Sequence, residues 1–174
     1  MARRAAELLK RDLRTAQVDL QWALAPVLPQ VFADPILMEQ VLINLIRNAV
    51  DAMVGAARVE GSVGSIRISA QRSGERFVRM DVEDSGPGLH GRTVDALSAP
   101  FYSTKSDGMG MGLAICRSVI EVHHGGMDAG SSSLGGARFS FTLPVFDARL
   151  QGLHDLQESG LDDEDARANL EGEL

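Results

Sequence analysis

Apolar residues recur at helical spacing in three stretches of the chain. Residues 5–20 are rich in helix formers and precede two prolines, which predicts a lead-in helix followed by an extended connection. Residues 34–54 form the clearest pattern, because Asp34 provides an N-cap ahead of a proline at the first helical position. Residues 111–123 predict a further helix, which the sequence HGG brings to an end.

Alternating apolar and polar positions predict strands around these helices. Residues 65–71 and 77–83 flank a turn-like Arg-Ser-Gly-Glu sequence, which predicts an antiparallel hairpin, and residues 136–144 alternate in the same way. Residues 84–110 carry Gly, Ser, Pro and Asp without sustained periodicity, so we expect a functional loop or lid there. The residues after Val145 are rich in Asp and Glu, which indicates a solvated helix or linker.

The composition of the chain indicates one domain and excludes several classes of partner and location. The 174 residues, 44% of them hydrophobic, suffice for one core. A net charge of -7 argues against nucleic acid or an anionic membrane as the main partner. Cys116 is the only cysteine and no signal-peptide pattern opens the sequence, so a cytoplasmic location is expected. The most apolar stretch, residues 41–54, contains four polar or charged residues, which argues against a membrane span.

A stripe of polar residues runs along the predicted helix at 34–54. The spacings of four, four and three residues place its members on one face, while the other faces are nearly all apolar: Gln40, Asn44, Asn48 and Asp51. Buried amides without partners cost roughly 1–3 kcal/mol each, so such a stripe needs partners. The stripe alone leaves open whether these are a ligand, an internal hydrogen-bond network or solvent.

A short glycine motif follows the predicted strand at 77–83. Asp84 is followed by Ser-Gly-Pro-Gly, in which Gly86 and Gly88 permit tight turns and close approach of a ligand to the backbone. The Asp84 carboxylate can accept a hydrogen bond from an exocyclic amine. The same motif by itself also fits a simple turn.

A second glycine-rich segment, GMGMGL at residues 108–113, leads directly into a predicted helix. Unpaired N–H groups and the positive end of the helix dipole favour a phosphate at such a position, and Lys105 adds a positive charge just upstream. The glycine spacing and the lack of a directly preceding strand do not fit a Rossmann fingerprint. No Gly-Lys-Ser/Thr sequence fits a P-loop.

In this order, the three motifs resemble those of bacterial sensor histidine kinases. The sequence DPILMEQVLINLIRNAVDAM resembles the asparagine box of that family, DSGPGL resembles its first glycine box, and APFYSTKSDGMGMGLAICRSVIEVHHGG resembles its phenylalanine box, lid and second glycine box. The resemblance covers residues 31–145 and is closer to the nitrogen-regulatory and oxygen-sensing kinases than to serine kinases of the same fold. It implies an α+β fold, the Bergerat fold: a two-layer α/β sandwich, with a mixed sheet backed by three helices and an ATP lid.

The resemblance also implies a division of the chain into three parts. Residues 1–30 are expected to lead in from a missing dimerisation and phosphoacceptor module. Residues 31–146 are expected to form the ATP-binding catalytic domain, and residues 147–174 an acidic tail or linker.

Each residue that matches the family's motifs acquires an expected role in binding magnesium and ATP. By resemblance, Asn48 is the Mg²⁺ ligand, Asp84 binds the adenine amino group, and Lys105 contacts the terminal phosphate. Gly86 and Gly88 let the backbone pass close to the purine. The further ATP-binding residues expected on the same grounds are Arg47, Asp51, Ala52, Thr104, Gly108, Gly110, Met111, Gly112 and Leu113.

Asn44 distinguishes this sequence from related ATPases. DNA gyrase B subunits, MutL-type repair proteins and the large heat-shock chaperone resemble the same fold but carry a glutamate at this position, which activates water. An amide cannot take up that proton, so Asn44 favours phosphoryl transfer over hydrolysis and is expected to help orient the incoming histidine. Asn44 and Lys105 are therefore the expected catalytic residues.

No histidine in the sequence has the context of a phosphoacceptor. The four histidines lack the following acidic residue and the helical hairpin that a complete kinase needs: His90, His123, His124 and His154. We therefore interpret the chain as a fragment that phosphorylates a histidine on a dimerisation module, with a response regulator as a further partner. Two alternatives stay open, a protein serine kinase of the anti-sigma-factor type and a non-enzymatic nucleotide-responsive module.

Overall fold

The computed structural model describes residues 2–55, 63–97 and 111–146. The predicted helices at 34–54 and 111–123, the hairpin and the last strand are all confirmed. The elements within the described residues are, in chain order, α1 (Ala2–Leu8), α2 (Lys10–Thr15), β1 (Val18–Leu24), α3 (Pro35–Gly55), β2 (Gly64–Ser73), β3 (Phe77–Asp84), α4 (Val94–Leu97), α5 (Gly112–Val122), β4 (Met127–Ser131) and β5 (Ala137–Pro144).

The strands form one mixed sheet in the order β1-β2-β3-β5-β4. β1 runs parallel to β2, and every other neighbouring pair is antiparallel. The register places Ile66 opposite Asp84 and Ile68 opposite Val82, so these four side chains lie on the same face of the sheet. The helices cover this inner face, which confirms the predicted two-layer α+β architecture.

The core is built around α3, because most of the surface of this helix is apolar. Met38, Leu42, Leu45 and Ile46 are completely buried. They form one hydrophobic cluster with the inward-facing residues of the sheet. In the part of the chain that the structure describes, no helix has the length and apolarity needed to cross a membrane.

α5 packs against α3 in the opposite direction. The Cys116 thiol lies 3.8 Å from the carbonyl oxygen of Val41. At the C-terminal end of α5, His123 contacts the beginning of α3. The Nε2 atom of His123 accepts a hydrogen bond from the Asp34 N–H at 3.1 Å, and its Nδ1 donates to the Val119 carbonyl at 2.7 Å. His123 therefore joins the end of α5 to the start of α3.

The cap of α3 confirms the prediction for Asp34. Its Oδ1 accepts hydrogen bonds from the N–H groups of Ile36 at 2.7 Å and Leu37 at 3.1 Å. These two bonds satisfy donors that have no partner within the helix.

The first 24 residues differ from the predicted single helix. The second helix ends at Thr15, Gln17 adopts a φ of 52°, and β1 begins at Val18. The prediction of a helix to residue 20 followed by a loop is wrong, because Val18, Leu20 and Trp22 alternate with exposed positions and pair with β2. The sheet therefore includes residues on the N-terminal side of the predicted boundary at residue 31.

The predicted lid falls only partly within the described residues. Leu89 and Leu97 pack against the core, and Asp95 of α4 forms an ion pair with Arg117 of α5 at 2.6 Å. Residues 98–110 lie outside the described residues, as does the acidic tail from residue 147 onward.

Candidate functional site

The loop after β3 lies against the C-terminal half of α3. The Ser85 hydroxyl is 3.4 Å from the Met53 sulfur. A Cβ atom added at Gly86 would lie 3.3 Å from Met53 Cγ and 3.7 Å from Ala52 Cβ. The structure thus brings together the asparagine-bearing helix and the Asp84 motif, which the sequence separates by more than thirty residues.

Asp84 is a buried carboxylate at the end of β3, with 3% of its surface exposed. Its Oδ1 accepts hydrogen bonds from the N–H groups of Gly86 at 2.8 Å and Ala137 at 3.1 Å. Burial raises the pKa of Asp84 above its ordinary value, and the two hydrogen bonds offset this only in part. Because both bonds fall on Oδ1, the second oxygen has acceptor capacity left for a ligand amine.

The structure explains why Gly86 and Gly88 of this motif are glycines. Gly88 adopts a φ of 81°, a left-handed conformation that favours glycine. A Cβ atom at Gly86 would lie 2.9 Å from Asp84 Oδ1, closer than such contacts are normally found. The loop can therefore pass this close to the carboxylate only without a side chain at Gly86, and Gly88 allows the left-handed turn that follows.

Gly136 is a member of the site that the motifs did not reveal. Its N–H donates to the Asp84 carbonyl at 3.1 Å, and a Cβ atom there would overlap Asp84 Oδ1 and lie 2.5 Å from the Gly86 nitrogen. The backbone just before β5 therefore lies in direct contact with Asp84. The glycine pair at 135–136 is the one sequence signal for this contact, which joins distant parts of the chain.

The polar stripe of α3 is neither fully buried nor fully exposed. Asn44 and Asn48 are half-buried, whereas Gln40 and Asp51 are exposed. Asn44 also contacts Cys116 of α5: burial raises the pKa of that thiol to about 11, and the hydrogen bond with Asn44 acts in the opposite direction. Since α3 and α5 are antiparallel, Asn48 lies one turn further toward the beginning of α5.

The beginning of α5 carries the predicted phosphate-binding residues Met111, Gly112 and Leu113. Met111 occupies the N-cap position without a side-chain cap, and the Ile115 N–H donates to its carbonyl at 2.9 Å. The preceding N–H groups have no acceptor within the helix, and the helix dipole is positive at this end. This arrangement can bind an anion such as a phosphate.

The remaining predicted site residues are placed as follows. Arg47 is exposed, with its Nε 4.0 Å from Asp12 of α2. Asp51 is exposed one turn further along the same helix. The roles predicted for lid residues lie outside the described residues and stay predictions: Thr104, Lys105, Gly108 and Gly110.

The family model for histidine kinase-, DNA gyrase B- and HSP90-like ATPases matches residues 33–147. The chain belongs to this family. Among the relatives of this ATPase domain is the C4-dicarboxylate transport sensor protein DctS of Rhodobacter capsulatus, which is 49% identical over 118 residues. That match covers 68% of the chain but only 17% of DctS.

Several solved structures that resemble this chain are of histidine kinases. The catalytic domain of histidine kinase ThkA matches with 31% identity and a TM-score of 0.70, over 83% of this chain and 90% of that one. ThkA in complex with the response regulator protein TrrA matches with 29% identity and a TM-score of 0.66, over 83% of this chain and 39% of that one. Full-length ShkA in complex with AMPPNP matches with 28% identity and a TM-score of 0.66, over 84% and 30%.

Proposed function

We propose that this ATPase domain is the catalytic domain of a sensor histidine kinase, which binds magnesium and ATP and donates the terminal phosphoryl group to a histidine on a separate helical module. The observation that carries this proposal is Asp84, a buried carboxylate whose Oδ1 is held by two backbone amides while its other oxygen is available to a ligand. Support comes from ShkA, which was solved with AMPPNP, a nonhydrolysable analogue of ATP.

Adenine recognition by Asp84 follows from hydrogen-bond chemistry. The free carboxylate oxygen accepts from the exocyclic amine of adenine, which a 6-oxo purine lacks. Gly86 and Gly88 are expected to let the backbone of the loop pass close to the flat ring. Binding at this point would distinguish adenine from other bases.

The other end of the nucleotide is expected at α5. The free N–H groups at the beginning of this helix would bind the phosphate chain, with Lys105 as a mobile positive charge. The half-buried Asn48 amide fits a Mg²⁺ site, since an amide oxygen is a hard neutral ligand and phosphates and waters can complete the coordination. When bound, Mg²⁺ would neutralise charge on the phosphates.

Phosphoryl transfer then needs positioning rather than a base on this domain. A ring nitrogen of the incoming histidine forms a bond to the terminal phosphorus, and the bond to the bridging oxygen breaks, with ADP as the leaving group. Asn44 cannot deprotonate a water molecule and so disfavours the competing hydrolysis. We infer that the domain transfers phosphate far faster than it hydrolyses ATP.

Isothermal titration calorimetry with ATP, with and without Mg²⁺, tests the binding site. We expect Asn48→Ala to lose the increase in affinity that Mg²⁺ gives the wild type. Gln40→Ala is the matched control, because Gln40 lies on the same stripe two turns away and is exposed. An equal Mg²⁺ effect in wild type and Asn48→Ala would contradict the metal assignment.

A further inference from the structure

A second buried carboxylate, Glu83, lies next to Asp84 but on the opposite face of the sheet. It is 8% exposed, and its Oε2 accepts hydrogen bonds from Arg67 Nε at 3.0 Å and Nη2 at 2.6 Å. Its Oε1 accepts from the N–H of Ser133 at 3.1 Å, the hydroxyl of Ser133 at 3.3 Å and the hydroxyl of Ser132 at 3.4 Å. Arg67 also donates to the Ser133 hydroxyl.

These serines belong to the turn between β4 and β5. The turn is closed by hydrogen bonds from Ser132 N to Gly136 O at 2.8 Å and from Gly135 N to Ser132 O at 3.1 Å. Ser132 Oγ also accepts from the N–H of Leu134 at 2.9 Å. The position of Gly136 is thus linked to that of the two serines.

The same turn contacts Asp84 on the inner face. Gly136 donates to the Asp84 carbonyl, and Ala137 donates to the Asp84 carboxylate, both at 3.1 Å. Two consecutive residues of β3 therefore hold one turn from both faces of the sheet: Glu83 binds its beginning and Asp84 binds its end. A shift of the turn would move the amide that orients the Asp84 carboxylate.

We propose that Glu83, with Arg67 and Ser133, is a positioning residue for adenine recognition, which it supports by fixing the β4–β5 turn that holds the Asp84 carboxylate. This inference rests on the proposed function, because it assigns Glu83 to the adenine-binding end of the same site. Glu83 itself does not touch the nucleotide.

The chemistry of Glu83 supports a clamp that requires a negative charge. Burial alone would raise its pKa, but the hydrogen bonds and charge of Arg67, together with the bonds from Ser133, hold the pKa below its ordinary value. Glu83→Gln keeps the size of the side chain but places an NH₂ group against the donors of Arg67 or Ser133. The clamp would then open at one of its two ends.

The same sheet face offers a matched control at Asp81. This carboxylate is 7% exposed and accepts hydrogen bonds from Arg79 at 2.8 Å and Ser140 at 2.6 Å. It therefore forms a cluster of the same chemistry, two residues earlier on β3. Its partners lie on β2, β3 and β5 rather than in the β4–β5 turn.

The test compares the affinities of wild type, Glu83→Gln and Asp81→Asn for ATP and for inosine triphosphate, whose purine carries an oxygen in place of the amine. We expect Glu83→Gln to reduce the preference for ATP about tenfold, mainly through weaker ATP binding, and Asp81→Asn to keep the wild-type preference even where it lowers Tm. Ser133→Ala, which keeps the backbone bond to Glu83, should reduce the preference by a smaller factor and serves if Glu83→Gln fails to fold.

The outcomes separate this inference from the proposed function. A wild type that prefers ATP, with variants Glu83→Gln and Ser133→Ala that keep this preference, would overturn the role of Glu83 alone. An equal loss of preference in Asp81→Asn would also overturn it, because a general weakening of the sheet would then be sufficient. A wild type with no preference for ATP would overturn both the adenine assignment and this inference.

Discussion

Asp84 faces two opposing demands. A charged carboxylate is the stronger acceptor for the proposed hydrogen bond from adenine, yet burial disfavours the charge and raises the pKa of Asp84. Because the folded-state pKa is raised, the folded protein binds a proton more readily than the unfolded chain. Stability is therefore reduced above the folded pKa of this group, and is regained as pH falls through that value toward the ordinary 3.8.

We predict that Asp84→Asn stabilises the nucleotide-free protein and weakens adenine recognition. The amide oxygen can still accept from Gly86 and Ala137, while the cost of burying a charge disappears. A gain of about 1 kcal/mol would raise Tm by roughly 2–4 °C in a chain of this size. A hydrogen bond to a charged group contributes about 1.5–3 kcal/mol, so the Kd for ATP should rise at least about tenfold.

Calorimetry and thermal unfolding of Asp84→Asn check the two halves of this prediction separately. A variant that is destabilised but binds ATP as wild type does would show that Asp84 has only a structural role. The gain in Tm should also shrink as the pH is lowered, because the wild-type carboxylate then becomes protonated.

Gly136→Ala should damage the same site without changing any charge. The added methyl group would overlap the Asp84 carboxylate, and overpacking of this kind costs about 1–3 kcal/mol. We expect lower stability in urea unfolding together with weaker ATP binding. Gly55→Ala is the control, because its added methyl group would meet no atom within 4 Å and should change stability by less than about 0.5 kcal/mol. Wild-type ATP binding by Gly136→Ala would argue against this close approach.

At the scale of elements, periodicity predicted those segments whose pattern agrees with their tertiary environment. α3 and α5 carry wide apolar faces, and β2 and β3 alternate around a glycine turn in which Gly74 adopts a φ of 64°. β1 was missed because its leucines and glutamine are also helix formers, and its alternation is decided by pairing with β2. β4 is short and contains Gly130, so its sequence alone gives it no bounds.

The candidate site could be proposed from the sequence where its residues are contiguous, but not where the sheet brings distant residues together. Asp84, Gly86 and Gly88 form one motif, and the glycines before α5 form another. The contact of Gly136 with Asp84, and the cluster of Arg67, Glu83 and Ser133, depend on strand order and register. Neither property can be read from local spacing.

The end of α5 offers a test of helix termination. The N–H of Gly125 donates to the Ile120 carbonyl at 3.0 Å and that of His124 to the Glu121 carbonyl at 2.9 Å, a Schellman motif in which His124 adopts a φ of 56°. A non-glycine residue is disfavoured in this conformation. We predict that His124→Gly raises the free energy of unfolding by about 0.5–1 kcal/mol.

Urea unfolding of His124→Gly and His124→Ala together checks the cause. The alanine variant keeps the disfavoured conformation and should stay close to wild type, whereas only glycine relieves it. If both variants gained or lost the same stability, the left-handed backbone would not be responsible.

At the scale of the whole molecule, the residues that we propose for ATP binding lie on one domain, and no histidine within the described residues has the helical-hairpin context expected of a phosphoacceptor. His123 uses both ring nitrogens for the hydrogen bonds that join α5 to α3. His90 and His124 are exposed, and each lies in a turn rather than in a helix. The fourth histidine, His154, lies outside the described residues. We therefore expect radiolabelled ATP to leave this chain unlabelled when it is incubated alone.

A phosphotransfer assay with a module that carries the phosphoacceptor histidine tests the proposed function most directly. This chain is incubated with ATP labelled at the terminal phosphate, together with a purified helical dimerisation module that carries the phosphoacceptor histidine of a related sensor kinase. We predict label on the module alone, labile in acid and stable in base, and lost when the module's histidine is replaced by alanine or when this chain carries Asp84→Asn. Label on this chain, acid-stable label on serine, or ATP hydrolysis without transfer would contradict the assignment as a histidine kinase catalytic domain.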